Sequence, residues 1–143
     1  MFDYPIIQIS QMLIALFLGI AMIQSGFDKI IDWKGNQSFL IEHFSKTFFS
    51  QFVTPLLLVV TILEVMGGII CFIGIGEVLI NNNSQFIKVG LFIIALDLIA
   101  LFFGQRFAKD YVGASVLVNY FILTILGLLT FTCLLYTSDA ADE

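Results

Sequence analysis

Four long apolar runs constrain the fold of this chain more than any other feature of its sequence. They cover about residues 6–27, 54–78, 86–104 and 111–132. A helix of about 20 mostly apolar residues crosses the hydrocarbon core of a bilayer. Each run must be helical, because an unpaired backbone N–H or C=O group in lipid costs too much free energy. The sequence therefore predicts an all-α fold, a four-helix transmembrane bundle.

The composition agrees with a membrane protein. Of the 143 residues, 59% are hydrophobic and only 12% are charged. A soluble domain of this size has too much exterior to hide so much apolar surface. The first run lacks a basic flank before it and a small-residue cleavage site after it, so we interpret it as a span and not as a signal peptide. Residues 1–132 are predicted to form one membrane domain.

The loop between the first two spans contains the segment FLIEHFSKTFFSQF at 39–52. Glu42 and Lys46 form an i,i+4 pair within it. Large apolar residues recur at every fourth position beside that pair, at Leu40, Phe44, Phe48 and Phe52. This pattern predicts a short interfacial helix that lies along the membrane. A lid docked on the bundle is the alternative.

Residues near the span boundaries predict where the helices start. Thr54 is followed by a proline, which suits an N-cap at the start of the second span. Residues 81–84, NNNS, are too polar for a membrane interior and predict a turn. Asp110 is placed to cap a helix that begins at Tyr111.

The C-terminal segment CLLYTSDAADE, at 133–143, has no helical period, no cap and no basic anchor. It resembles a translated transposase-based sequencing adapter, in which the codons TGT CTC TTA TAC ACA TCT GAC GCT GCC GAC encode CLLYTSDAAD. We therefore interpret it as an adapter-derived tail that has no packing role. Without it, the 11 acidic residues fall to eight against six basic ones, and the formal charge changes from −5 to −2.

The remaining chain offers few ligands for metals or redox groups. Without the tail, Cys71 is the sole cysteine and His43 the sole histidine. One chain therefore cannot form an internal disulfide, a bis-His haem or a histidine-based metal site. The sequence has no catalytic or cofactor-ligand constellation, so redox chemistry would need a partner or a diffusible cofactor such as a quinone. Nothing indicates nucleic-acid binding, because there is no basic patch.

The basic residues predict the orientation in the membrane. Five of them flank one side of the predicted bundle, namely Lys29, Lys34, Lys46, Arg106 and Lys109, and Lys88 flanks the other. By the positive-inside rule, the first and third loops are cytoplasmic and both termini are outside.

The most informative polar residues inside the spans are Glu64, Asp97 and Asn119. Counted from the cytoplasmic ends of their helices, all three lie at depths of roughly 12–15 Å. They can therefore share one layer, which Gln24 on the first span would join. Nearer the cytoplasmic mouth we expect Lys29, Gln105 and Arg106. A carboxyl group at mid-membrane usually marks a proton or substrate site, and the alternative is a structural hydrogen bond between helices.

Glycines repeat along the spans at helical spacing. Gly90, Asp97 and Gly104 are seven residues apart, and Gly19 and Gly26 repeat that interval on the first span. Gly67 and Gly68 lie one turn from Glu64. Small residues on one face let helix backbones approach, so these stripes predict close packing around the polar layer.

Three segments resemble the DoxX family of small four-helix membrane proteins, particularly members from Bacteroidota. They are GIAMIQSGFDKI at 19–30, LEVMGGIICFIG at 63–74 and GQRFAKDYVGASVLVNYFILTILGL at 104–128. The family positions correspond to Gly26, Lys29, Glu64, Gly67 or Gly68, Gln105 and Arg106. The chain departs from the family at the start of the first span, where Gln8 and Gln11 stand in place of an arginine that many members have.

The resemblance implies an accessory membrane subunit of a quinone-linked or thiol/sulfur redox system, working with a redox partner or as a homo-oligomer. A small proton-coupled transporter that uses Glu64 and Asp97 is an alternative from another functional class. A membrane scaffold without activity of its own is the third hypothesis, and in it the acids only bond neighbouring helices.

Overall fold

The computed structural model describes the backbone of residues 4–142 and the side chains of residues 4–48 and 50–132. This part of the chain is helical and contains no strand. Its α-helices are α1 (Ile6–Ile31), α2 (Trp33–His43), α3 (Val53–Asn81), α4 (Gln85–Phe107) and α5 (Tyr111–Asp142), and a 3-10 turn at Phe48–Phe52 precedes α3. The predicted all-α class is confirmed.

Four of the described helices, α1, α3, α4 and α5, are long and apolar enough to cross a membrane. They form a ring in which α3 packs between α1 and α4, and α5 packs against α4 and α1. Large apolar side chains cover the outside, for example Phe17 at 57% exposure and Ile80 at 82%. Such a surface suits lipid and not water, so the chain is a multi-pass membrane protein.

Glycines determine how closely α3 approaches its neighbours, as the small-residue stripes predicted. A Cβ atom on Gly74 would lie 2.6 Å from the backbone nitrogen of Ile87, and one on Gly90 would lie 2.7 Å from Cys71 Sγ. On the other side, a Cβ on Gly26 would lie 2.6 Å from Val65 Cγ2. Gly104 differs from the prediction, because a Cβ placed there would meet only the Phe44 ring of the first loop, at 3.7 Å.

The short helix between the first two spans exists, but its bounds differ from the predicted 39–52. Helix α2 ends at His43, and the backbone at Thr47 is extended (φ −114°, ψ 159°) before the 3-10 turn begins. The Phe44 carbonyl accepts hydrogen bonds from both the backbone N–H and the hydroxyl of Thr47, at 2.9 and 2.8 Å, which satisfies this carbonyl where the helix ends. The apolar four-residue repeat therefore spans two short elements and not one continuous helix.

The two predicted caps have different outcomes. Helix α3 begins at Val53, so Thr54 is not its N-cap; the Thr54 hydroxyl instead accepts a hydrogen bond of 2.7 Å from Gln37 Nε2 of α2. Asp110 does cap α5, because its Oδ1 accepts from the Gly113 backbone N–H at 3.0 Å. The predicted turn is confirmed at residues 82–84, with Asn82 in the left-handed conformation at φ 56°, whereas Asn81 still belongs to α3. The predicted absence of a packing role for residues 133–143 concerns side chains outside those described.

Candidate functional site: two buried carboxyl groups and one lysine

The packing of α3 against α4 brings the two intramembrane acids to the same level. Gly74 meets Ile87, Gly90 meets Cys71, and Gly67 meets Ile94. Because the two helices are antiparallel, one turn back along α3 from Gly67 and one turn forward along α4 from Ile94 brings Glu64 opposite Asp97. Both side chains are buried, Glu64 at 1% exposure and Asp97 at 0%. The predicted inward orientation of both acids at a similar depth is confirmed.

Lys29 is the cation of this site. Its Nζ lies 2.9 Å from each carboxylate oxygen of Glu64, and only 16% of its side chain is exposed. Ser25, one turn earlier on α1, donates from Oγ to Glu64 Oε1 at 2.9 Å and accepts from Lys29 Nζ at 2.8 Å. A bidentate, hydrogen-bonded pair of this kind is the geometry that compensates the desolvation of two charges.

Two local features bring Lys29 into contact with Glu64. Helix α1 continues to Ile31, one turn beyond the predicted end at residue 27, so Lys29 belongs to the helix and not to the loop. Gly26 lets α1 approach α3 closely at this level, where a Cβ added to Gly26 would lie 3.6 Å from Glu64 Cβ. Lys29 is therefore part of the buried site, deeper than the cytoplasmic-mouth position predicted for it.

Asp97 lacks such partners. Both of its carboxyl oxygens are buried and make no hydrogen bond to the described residues. The group lies close enough to Glu64 and Lys29 to interact electrostatically with both. A buried carboxyl group without a hydrogen bond is unfavourable, so Asp97 has free hydrogen-bonding capacity that a ligand or a water molecule could use, and a proton would remove its charge.

The site has a simple charge balance. Glu64 and Asp97 can carry two negative charges, and Lys29 supplies one positive charge. An uncompensated charge in a buried, apolar setting is unfavourable. A proton on one carboxyl group removes the excess charge and needs almost no space. The arrangement can thus hold and release a proton, and it can bind a polar group that donates hydrogen bonds to Asp97.

Two residues predicted for the site do not reach it. Asn119 and Gln24 are both exposed on the outside of the bundle. Helix α5 turns Ala114, Thr124 and Phe131 inward, which leaves Asn119 on the opposite face. The prediction of depth alone could not distinguish these faces, since residues at one depth point in any direction around a helix. The predicted bond between Asn119 and the acids is therefore wrong.

The other two predicted mouth residues lie at the connection between α4 and α5. Gln105 is half-buried, its Oε1 has no hydrogen bond to the described residues, and a Cβ on Gly113 would lie 2.9 Å from that oxygen. The guanidinium carbon of Arg106 lies 4.5 Å from the centre of the Tyr111 ring, which is a cation–π contact at a helix end. Among the described residues, neither residue forms a hydrogen bond or an ion pair with the acid pair.

The sequence-based prediction missed Ser25 and a second polar layer at the other end of the bundle. Ser25 could have been identified, because it precedes Lys29 by four residues and therefore shares its helix face. In the second layer, Gln11 is fully buried and donates from Nε2 to Thr130 Oγ1 at 2.9 Å. Gln8 lies one turn away and donates to the Asn82 carbonyl at 3.4 Å.

An apolar groove of about 500 Å³ lies beside the site, between the end of α1 and α3. Ile30, Trp33, Thr61 and Val65 contribute to its lining. The Thr61 hydroxyl already donates to the Leu57 carbonyl at 2.7 Å, so the groove offers mainly apolar contacts. It is suited to a lipid-like chain and not to a polar headgroup. Within the described residues, no group of three His, Cys, Asp or Glu side chains could hold a metal ion.

Comparisons with known proteins return no match for this chain. No family model matches it, and neither a search of curated proteins nor a search of solved structures finds a similar protein.

Proposed function

We propose that this protein is a DoxX-like accessory subunit of a quinone-linked or thiol/sulfur redox system, and that it contributes a buried proton-exchange site. Glu64 and Asp97 take up and release the proton, Lys29 holds Glu64 in place, and Ser25 completes the hydrogen bonding of that pair. Quinone reduction and oxidation are coupled to proton uptake and release, so a proton-exchange site of this kind would serve a quinone that is bound with a partner subunit.

One observation carries the proton-exchange proposal: of two buried carboxyl groups at the same level, only Glu64 is paired with a lysine, and both oxygens of Asp97 lack a hydrogen bond within the described structure. Ionisable groups inside a membrane protein are costly and are retained chiefly where they serve a pathway or a site. The redox part of the proposal rests on the resemblance of residues 19–30, 63–74 and 104–128 to the DoxX family.

A small proton-coupled transporter is the second functional proposal. It is favoured by the free hydrogen-bonding capacity of Asp97, which a polar substrate could use in the bundle interior. In that case the chain would move protons and substrate by itself, without a redox partner. A scaffold, in which Glu64 and Asp97 only stabilise helix packing, is the remaining alternative.

We further propose the bacterial inner membrane as the location, with the loops after α1 and α4 in the cytoplasm and both termini outside. The distribution of basic residues supports this orientation, because most of them flank the ends of the helices at which Lys29 and Arg106 lie. The acid pair would then lie in the half of the bilayer nearer the cytoplasm.

The first prediction tests the proton site with infrared difference spectroscopy of the protein in liposomes, recorded during a pH change. We expect Asp97→Asn to abolish a carboxylic acid carbonyl band that the unmodified protein shows, while the protein still folds as a helical bundle. Asp28→Asn is the matched control. Asp28 is exposed on the same side of the bundle, so its replacement should leave the band of the buried carboxylic acid unchanged.

Function is tested in parallel with the protein purified from its own membrane in mild detergent. Co-purification of a quinone-reactive or thiol-redox partner, with proton-coupled turnover lost in Glu64→Gln, supports the subunit. Proton-coupled uptake by liposomes that contain this chain alone supports the transporter. Unchanged activity in both Glu64→Gln and Asp97→Asn would contradict both proposals and leave the scaffold.

A further inference from the structure

The exposed face of α5 differs from that of an ordinary lipid-facing helix. Its span, Tyr111–Thr132, is the least buried of the four described spans. Only 17% of its most apolar stretch is buried inside the bundle, compared with 33–39% in the other spans. Directly opposite its buried side, exposed residues alternate three and four positions apart, at Val112, Ser115, Asn119, Ile122, Leu126 and Leu129. This seven-residue repeat, the α5 stripe, is the pattern with which helices pack in left-handed pairs.

Asn119 is the polar residue at the centre of the α5 stripe. It lies about 12 Å along the helix from Tyr111, which places it near the middle of the span. Its side chain is exposed and makes no hydrogen bond to the described residues. In hydrocarbon an amide without partners is unfavourable, and polar side chains in spans usually bond a neighbouring helix. The α5 stripe therefore needs a polar partner at this depth.

A second copy of the chain supplies that partner with the right chemistry. Two copies inserted in the same direction form a symmetric dimer only about a two-fold axis along the membrane normal. In that arrangement each residue of the α5 stripe faces the same residue of the second copy. An amide contains both donor and acceptor, so two facing Asn119 side chains can satisfy each other. The stripe contains no charged residue that would select a partner of opposite charge.

We infer that the protein forms a parallel homodimer through the α5 stripe, with Asn119 hydrogen-bonded to Asn119 of the second copy. Ser115 is small and lets the helices approach at one end. Its hydroxyl is already bonded to the Val112 carbonyl of its own helix at 2.6 Å, so it needs no partner across the interface. The apolar residues at Ile122, Leu126 and Leu129 continue the contact toward the other end. This dimer does not depend on the proton-exchange proposal.

Disulfide crosslinking in native membranes tests the interface. Single cysteines are introduced by Ser115→Cys or Ile122→Cys in a Cys133→Ser background, and Cys71 is left in place because it is fully buried. Both variants should form crosslinked dimers under mild oxidation. Val116→Cys and Val118→Cys are the matched controls, because these exposed positions flank the α5 stripe on the same helix and should crosslink poorly. Equal crosslinking at all four positions, or at none, would overturn the proposal.

The role of Asn119 is tested by measuring monomer–dimer equilibrium in detergent micelles or lipid. Asn119→Val should weaken dimerisation on the order of tenfold, the size expected for one or two interhelical hydrogen bonds. Asn119→Gln keeps the amide and should retain most of the affinity. Gln24→Leu removes an exposed amide from α1 and should have no effect. A monomeric unmodified protein, or an Asn119→Val variant with unchanged affinity, would refute the inference.

Discussion

At the scale of single residues, Lys29 and Glu64 show how a membrane interior retains charge. The lysine reaches Glu64 along its aliphatic stem from the last turn of α1, and both oxygens of the carboxylate are engaged. The free energy of such a pair depends on both members being present. Removing one leaves the other charged and buried, whereas replacing both avoids that cost.

The second prediction follows from this dependence. Lys29→Met should lower the free energy of unfolding by about 3–5 kcal/mol, because Glu64 loses its cation inside the bundle. Adding Glu64→Gln should recover most of the loss, since the neutral amide can still accept from Ser25. The measurement is unfolding in mixed micelles by titration with a denaturing detergent. Lys34→Met, at an exposed position, serves as the control and should change stability little. If the double variant is less stable than Lys29→Met alone, the pair is not the source of the effect.

At the scale of helices, the sequence predicts the spans well and the directions of side chains less well. Apolar length determines that α1, α3, α4 and α5 exist, and the spacing of glycines predicts where backbones approach. The direction in which Asn119 points depends on which neighbours α5 has. Its packing against α4 and α1 could not be derived from the helix's own residues, because its large apolar residues are distributed all around it.

The third prediction concerns the contact between α3 and α4. Gly74→Ala should destabilise the protein by about 1–3 kcal/mol, because the added methyl group meets the backbone nitrogen of Ile87, which cannot move aside as a side chain can. Gly76→Ala, two residues further along the same helix, has no atom within 4 Å of the new Cβ. That variant should be neutral or more stable, by up to about 1 kcal/mol, because alanine favours helix. Thermal unfolding in one detergent compares the two, and equal effects would contradict the proposed register.

At the scale of the whole molecule, the bundle places its buried carboxyl and amide side chains in two layers. One layer contains Glu64, Asp97 and Lys29, and the other contains Gln8 and Gln11 near the opposite end. Apolar side chains such as Leu18, Leu91 and Ile94 fill the core between them. A proton that enters the acid layer therefore has its shortest route back to the same side of the membrane. Proton exchange with one side suits a subunit that serves a partner, whereas transport would require the core to open.

The side of the membrane that the acid layer faces depends on orientation, which is the subject of the last prediction. Because Lys29 is neutralised by Glu64, it contributes less to the charge difference than its position in the sequence suggests, and four basic residues remain against Lys88. That difference still predicts a cytoplasmic first loop. In a Cys133→Ser background, Lys34→Cys should be protected from a membrane-impermeant maleimide in intact cells, and Asn81→Cys should react. Both positions are exposed to solvent on the protein, so a difference reports the side of the membrane and not burial. The reverse labelling pattern would place the acid layer nearer the outside, and the proposed proton exchange would then occur on that side.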